Sequence, residues 1–264
     1  MEIENSFGTL FETPVRATVP IFSFENGRTR NVASGLLFSS ARRLYLITAT
    51  HVLVDPECPR DSLFFVDAQN NRLHCHEYRM SLMTTPGSKF GSNKDRADVS
   101  VLELHGHSRS DFCQLILNQT YCYLPTAISE EWDILLSGFP YAPNIDTDER
   151  TVTLRSYMHH TRILASERRV LKAGYLPAFH HVVEYRRRDI RPTTGERVLT
   201  PEPYGLSGGG MWVLSTDAEG MRSYRLIGVN IEYYRDSSVF AAVQINHVLR
   251  FMKPIDDLRA AAGQ

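Results

Sequence analysis

Residues Tyr204-Gly-Leu-Ser-Gly-Gly-Gly-Met-Trp212 set one serine among four glycines and run at once into the strand-forming Met211-Trp-Val-Leu214. Gly205, Gly208, Gly209 and Gly210 have no Cβ, so the backbone here can turn tightly and approach a bound molecule closely. Such a turn can aim several N–H groups at one point, as stabilisation of a developing oxyanion requires. Ser207 at its centre is a candidate nucleophile, provided that a base is brought to it. Glycine-rich turns are common, and two other segments supply what Ser207 lacks.

The first is Leu44-Tyr-Leu-Ile-Thr-Ala-Thr-His-Val-Leu53, an apolar β-rich run that delivers His51 at its end. The second is Asp95-Arg-Ala-Asp-Val-Ser-Val-Leu-Glu-Leu104, where Asp98 opens an alternating strand. Asp95 is a rival to Asp98; Asp98 is preferred because it abuts the apolar run. Along the chain the order is His51, Asp98, Ser207. This is the order of the chymotrypsin-like triad, and it differs from the subtilisin and α/β-hydrolase orders.

With these residues the chain resembles the trypsin-like (chymotrypsin-fold) serine peptidases, of the bacterial intracellular type. The likeness rests on Thr48-Ala-Thr-His51, Asp98-Val-Ser-Val-Leu102 and Gly205-Leu-Ser-Gly-Gly209. Ser34-Gly-Leu-Leu-Phe38 and Leu226-Ile-Gly-Val-Asn230 look like the strands before the histidine and after the nucleophile. The resemblance implies an all-β fold of two six-stranded antiparallel Greek-key β-barrels with a C-terminal α-helix, in one peptidase domain over residues 1–264. The N-terminal barrel is expected over about residues 10–115, the C-terminal barrel over about 120–245 and the helix over about 245–262.

It also implies roles. His51 is the base, Asp98 orients it, Ser207 attacks, and the backbone N–H groups of Gly205 and Ser207 form the oxyanion hole. The S1 floor would come from Thr200–Tyr204 and its wall from Asn230–Tyr234. The substrate-binding candidates are Pro201, Glu202, Tyr204, Asn230, Ile231 and Glu232. Pro201 stands where the trypsin-type aspartate would align, so that preference does not carry over. Glu202 and Glu232 either attract a basic P1 side chain or face solvent. Leu206 occupies the position of the aspartate that pairs with a new N-terminus in the zymogen branch. Assembly of the turn by N-terminal insertion is therefore not expected. Gly210, where many relatives have proline, should loosen the turn.

Composition fits one large all-β domain: 264 residues, 42% hydrophobic and 22% charged. A net charge of −1 gives no case for a nucleic-acid partner. No apolar run reaches the length of a membrane span. The N-terminus Met1-Glu-Ile-Glu-Asn-Ser-Phe-Gly8 lacks a signal-peptide pattern, which points to a soluble cytoplasmic protein. Cys58, Cys75, Cys113 and Cys122 show no framework spacing and are expected to be reduced. His74-Cys-His76 and His105-Gly-His107 suggest zinc only weakly, because no spaced cysteine pair completes a site. Neither a metal nor a cofactor is expected. His159-His160 and His180-His181 read as ordinary strand surface.

Strands are expected over Val15–Ser23, Val32–Phe38, Leu44–Thr48, Ser62–Val66, Val99–Leu104, Trp132–Gly138, Thr151–Ser156, His180–Arg187, Met211–Leu214, Tyr224–Glu232 and Val239–Gln244. A helix with a kink at Pro254 closes the chain. Gly205-Leu-Ser-Gly-Gly209 also satisfies the α/β-hydrolase Gly-x-Ser-x-Gly pattern, but that fold needs a helix after the serine, and Gly208-Gly-Gly-Met-Trp212 starts one poorly. The expected function is a serine endopeptidase acting on protein or peptide substrates and regulated by a protein partner. The alternative is a protease-like binding or sensor module with a latent or inactive site.

Overall fold

Period-2 apolar segments bounded by turn residues become fifteen named strands in the computed structural model, which describes residues 12–25, 27–83, 97–124, 132–141, 157–161, 174–185, 188–190 and 197–261. They are β1 (Thr18–Glu25), β2 (Arg28–Ser40), β3 (Arg43–Ala49), β4 (Leu63–Val66), β5 (Arg72–His74), β6 (Arg79–Leu82), β7 (Val99–Glu103), β8 (Ile134–Gly138), β9 (Tyr157–Thr161), β10 (His180–Glu184), β11 (Arg188–Ile190), β12 (Arg197–Leu199), β13 (Gly210–Thr216), β14 (Arg222–Tyr234) and β15 (Val239–Gln244). The α-helices are α1 (Glu12–Ala17), α2 (Thr50–Val54) and α3 (Ile245–Ala261).

Two antiparallel sheets carry the fold. One has the order β5-β4-β1-β2-β3-β7-β6, and the other the order β10-β15-β14-β13-β8-β9. The second holds the six strands expected; the first holds seven, the edge strand β5 being a three-residue addition. A separate ribbon pairs β11 with β12. This is the chymotrypsin-like arrangement, closed by the C-terminal helix α3. No helix of the described residues is long and apolar enough to cross a membrane.

The sheets meet over a shared core. Leu36, Phe38, Tyr45, Ile47, Val99 and Val101 of the first pack in one cluster with Leu135, Trp212, Leu226 and Val229 of the second. Trp212 is fully buried, and its indole N–H donates to Ser137 Oγ at 2.9 Å. Ser137 Oγ in turn bonds Thr18 Oγ1 of the first sheet at 2.9 Å, so the polar handle of the largest core side chain is satisfied across the junction. Helix α3 presses Val248 and Met252 into the same cluster. Its buried Asp256 accepts hydrogen bonds from Tyr45 Oη at 2.5 Å and Ser40 Oγ at 2.7 Å.

Several expectations are corrected. Residues 15–17, read as strand, belong to helix α1, where Arg16 reaches back to Glu12 at 2.7 Å, an i,i+4 pair that successive helical turns bring together. His159, His180 and His181 are buried, not surface residues. Tyr185 packs on His159 with ring centroids 4.6 Å apart, and Phe179, stacked on His247 of α3, packs on His180, so the faces expected to meet water are covered. Burial, with repulsion from His180 and His247, drives the His181 pKa down to about 4. The strand expected over Thr151–Ser156 lies outside the described residues.

Candidate active site

Pairing of β3 with β7 sets Ala49 opposite Val99, so the residues just beyond each strand end, His51 and Asp98, emerge side by side. His51 sits in the single turn of α2 rather than on the strand itself. The Thr50 N–H donates to the Asp98 carbonyl at 3.1 Å, and Ser100 Oγ donates to Thr50 Oγ1 at 2.9 Å. Both carboxylate oxygens of Asp98 are then used on one residue. Oδ1 accepts the His51 backbone N–H at 2.8 Å, and Oδ2 lies 2.6 Å from His51 Nδ1. An ionised carboxylate only accepts, so Nδ1 carries the proton and Nε2 is left with its lone pair. Asp95, the rival, lies outside the described residues.

Loss of hydration pulls the His51 pKa down, but the hydrogen bond and charge of Asp98 outweigh it. Glu232 and Asp55 add to the attraction, and the net effect is upward from the ordinary value near 6.5. Half of the His51 side chain remains exposed, so the imidazole is accessible from the cleft.

The serine turn is shaped by where its carbonyls are tied. The Tyr204 carbonyl accepts from Tyr141 N–H at 2.8 Å, and the Leu206 carbonyl accepts from Gly209 N–H at 3.0 Å. A trans peptide points its N–H opposite to its C=O. The N–H groups of Gly205 and Ser207, which belong to those two peptides, are thereby turned the other way. Among the described residues neither makes a hydrogen bond, whereas the intervening Leu206 N–H bonds to the Pro203 carbonyl at 3.1 Å. Two free donors flanking one spent donor is the arrangement an oxyanion hole requires.

Glycine is required in this turn. Gly205 has φ +89°, and a Cβ there would lie 2.4 Å from the Phe139 carbonyl oxygen. Gly208 has φ +84°, and a Cβ would lie 2.0 Å from the Ser34 carbonyl oxygen. Gly210 opens β13 against the Trp212 indole, whose Nε1 stands 2.4 Å from where a Cβ would be. Leu206 is fully buried with Ile134, Leu136, Val183, Tyr185 and Met211. An apolar side chain in an apolar cluster offers no counter-charge to an inserted amine.

Ser207 and His51 open into one cleft of about 380 Å³. Among the described residues no hydrogen bond joins Ser207 Oγ to His51; such catalytic contacts are often long before substrate binds. Of the substrate-binding candidates, Glu202, Tyr204, Ile231 and Glu232 line this cleft. Tyr175 Oη donates to Glu232 Oε2 at 2.7 Å.

Pro201 and Asn230 lie elsewhere. The Pro201 carbonyl is bonded by Tyr185 Oη at 2.9 Å. Asn230 is fully buried behind the serine turn. Its Nδ2 donates to the carbonyls of Ser137 and Gly210 at 3.2 Å each, and its backbone exchanges bonds with Gly208 and Gly209. A β-bulge between Asn230 and Glu232 explains this: the added residue turns the later positions to the cleft and leaves Asn230 inside. Sequence reasoning did not reach Asp55, Cys58 and Arg235, which also line the cleft. It also did not single out the side chains of Asn31, Ser34 and Thr48 behind the turn, because nothing local marks them.

Among the described residues no cluster of His, Cys, Asp and Glu is placed to hold a metal ion. His107 Nε2 and Tyr78 Oη are hydrogen-bonded at 2.9 Å, and Tyr78 also meets the His105 ring. The four cysteines are free thiols.

No family model and no curated protein matches the sequence. Solved structures do match. An inactivated protease paralogue of the scabies mite, S-I1, superposes with a TM-score of 0.56 at 13% identity, covering 92% of this chain and 95% of that one. A serine endoprotease of Yersinia pestis superposes with a TM-score of 0.52 at 13% identity, covering 97% of this chain and 68% of that one. These likenesses establish a chymotrypsin-like protease fold. One named neighbour is a protease and the other an inactivated relative.

Proposed function

We propose that this chain is a serine endopeptidase that cleaves protein substrates through an acyl-enzyme intermediate. The observation that carries the reading is that Ser207 opens into the same cleft as an imidazole whose Nδ1 is held by Asp98. His51 Nε2 takes the Ser207 proton as Oγ attacks the scissile carbonyl, and returns it to the leaving amine. Asp98 fixes the tautomer and stabilises the imidazolium. The Gly205 and Ser207 N–H groups receive the oxyanion. Water then enters by the same path, with His51 again as base, and frees the acid product.

The buried Leu206 supports assembly of the site without an inserted amine. We propose that restraint comes from a protein partner inside the cell. A second reading, a latent or inactive sensor module, is favoured by the missing Ser207–His51 hydrogen bond. Fluorophosphonate labelling separates the two. Wild type is expected to label, with labelling lost in Ser207→Ala and His51→Ala. A folded wild type that never labels would refute the peptidase reading and favour the sensor.

A further inference from the structure

We infer that the buried Ser34 hydroxyl is a positioning residue that locks the oxyanion turn in its donating conformation; the kinetic part of this inference rests on the peptidase reading. Ser34 lies on β2, in the opposite sheet to Ser207, and is fully buried. Its Oγ donates to the Gly205 carbonyl at 2.7 Å and accepts from the Phe139 N–H at 2.9 Å. Its backbone N–H donates to the Ser207 carbonyl at 2.9 Å, and its carbonyl accepts from Thr48 Oγ1 at 2.8 Å. Every polar group of this residue is engaged.

The peptide held by the Ser34 hydroxyl decides the geometry of the hole. It joins Gly205 to Leu206 and sits between the two peptides that carry the free donors. If it rotates, the Gly205 N–H and the Ser207 N–H no longer converge. Gly205 at φ +89° has no Cβ to resist such a rotation, so the peptide is held by its two bonds: Leu206 N–H to the Pro203 carbonyl within the turn, and the Gly205 carbonyl to Ser34 Oγ from the other sheet. Phe139 N–H, the other partner of Ser34 Oγ, belongs to the segment that also supplies Tyr141 N–H to the Tyr204 carbonyl. Asn31, three residues earlier on β2, donates from Nδ2 to the Phe139 carbonyl at 2.5 Å. One strand of the first sheet thus clamps both the serine turn and the segment beside it. The lock lies inside the fold and needs no chain terminus.

The test uses the full chain as wild type, Ser34→Ala and Ser34→Cys. The alanine leaves the Gly205 carbonyl and Phe139 N–H without a partner; the cysteine keeps a weak donor and acceptor in place. In folded Ser34→Ala, fluorophosphonate labelling is expected to slow about 100-fold, the scale of a misplaced catalytic group. The substrate KM should stay within about threefold, since the cleft walls are untouched and only the transition state loses its donors. Ser34→Cys should fall between the two and decides the matter if the alanine variant does not fold. Amide exchange gives a readout independent of turnover. The Leu206 N–H, protected in wild type, should exchange faster in both variants while amides of β13 keep their protection. Wild-type labelling rates together with unchanged Leu206 protection would overturn the inference. If wild type itself never labels, the peptidase reading falls and exchange at Leu206 alone decides the role of Ser34.

Discussion

Replacing Asp98 by asparagine should abolish turnover through the tautomer of His51 while leaving the fold intact. Both carboxylate oxygens are committed: one accepts the His51 backbone N–H at 2.8 Å, the other faces Nδ1 at 2.6 Å. The backbone N–H can only donate, so the new amide must turn its oxygen there and its NH2 toward Nδ1. Nδ1 then has to accept, the ring proton moves to Nε2, and the lone pair needed for the Ser207 proton is gone. Loss of the orienting carboxylate in this geometry is worth about 10⁴ in kcat, or about 5.4 kcal/mol at 1.36 kcal/mol per decade. The structural cost is small, because shape is conserved and half of the His51 side chain meets water. Melting temperature should move by no more than about 2 °C. The assay is hydrolysis of an activated ester, with ¹⁵N NMR of the imidazole to identify the protonated nitrogen. Two results would refute the reasoning: a loss below about tenfold, or a large loss with the proton still on Nδ1.

Other outcomes follow from the same geometry. Because the His51 pKa lies above its ordinary value, the rate should fall on acidification through a midpoint above 6.5, and Glu232→Gln should move that midpoint down. The stability tied to protonated His51 is complete below its unfolded pKa and is lost as pH rises through the raised one; thermal melts across that window check the sign. Gly208→Ala should cost about 1–2 kcal/mol from the left-handed backbone alone, before the overlap with Ser34 is counted. A melt lowered by less than about 2 °C would contradict it. Asp256→Ala strips a buried acceptor from Tyr45 and Ser40 and should cost about 3 kcal/mol, read as a fall of roughly 6 °C. Burial and that carboxylate together hold the Tyr45 phenol well above its ordinary pKa, so its absorbance titration should move down in the same variant.

Much of the site was legible because its signals are local. An apolar run ending in Thr-Ala-Thr-His51, an acid abutting a strand and a serine among glycines each read within ten residues. Chain order then linked them. The C-terminal helix was legible from its spacing, and the entry strand was misplaced because residues 12–17 pair along a helix instead of across a sheet. Asn230 was assigned to the cleft with the whole stretch Asn230–Tyr234 as its wall; a bulge between Asn230 and Glu232 separates the first residue from the later ones and is invisible in composition. The buried histidines were misread because much of what covers them is remote in sequence: Tyr185 packs on His159, and His247 of α3 stacks on Phe179 beside His180. Ser34 shows the same limit in reverse. Its hydroxyl meets a carbonyl 171 positions away, and no window along the sequence contains both.

That separation also sets when the turn can take shape during folding. Its fixing bonds come from β2, so neither sheet alone can impose the geometry, however complete its own ladder. The chain must close a span of 171 residues before the serine turn is held, and contacts of such high sequence separation form late. Secondary structure should therefore return well ahead of amide protection at Leu206 after dilution from denaturant. A nascent chain carries a complete β2 long before it carries Ser207, and the serine turn takes its geometry only when the last sheet docks.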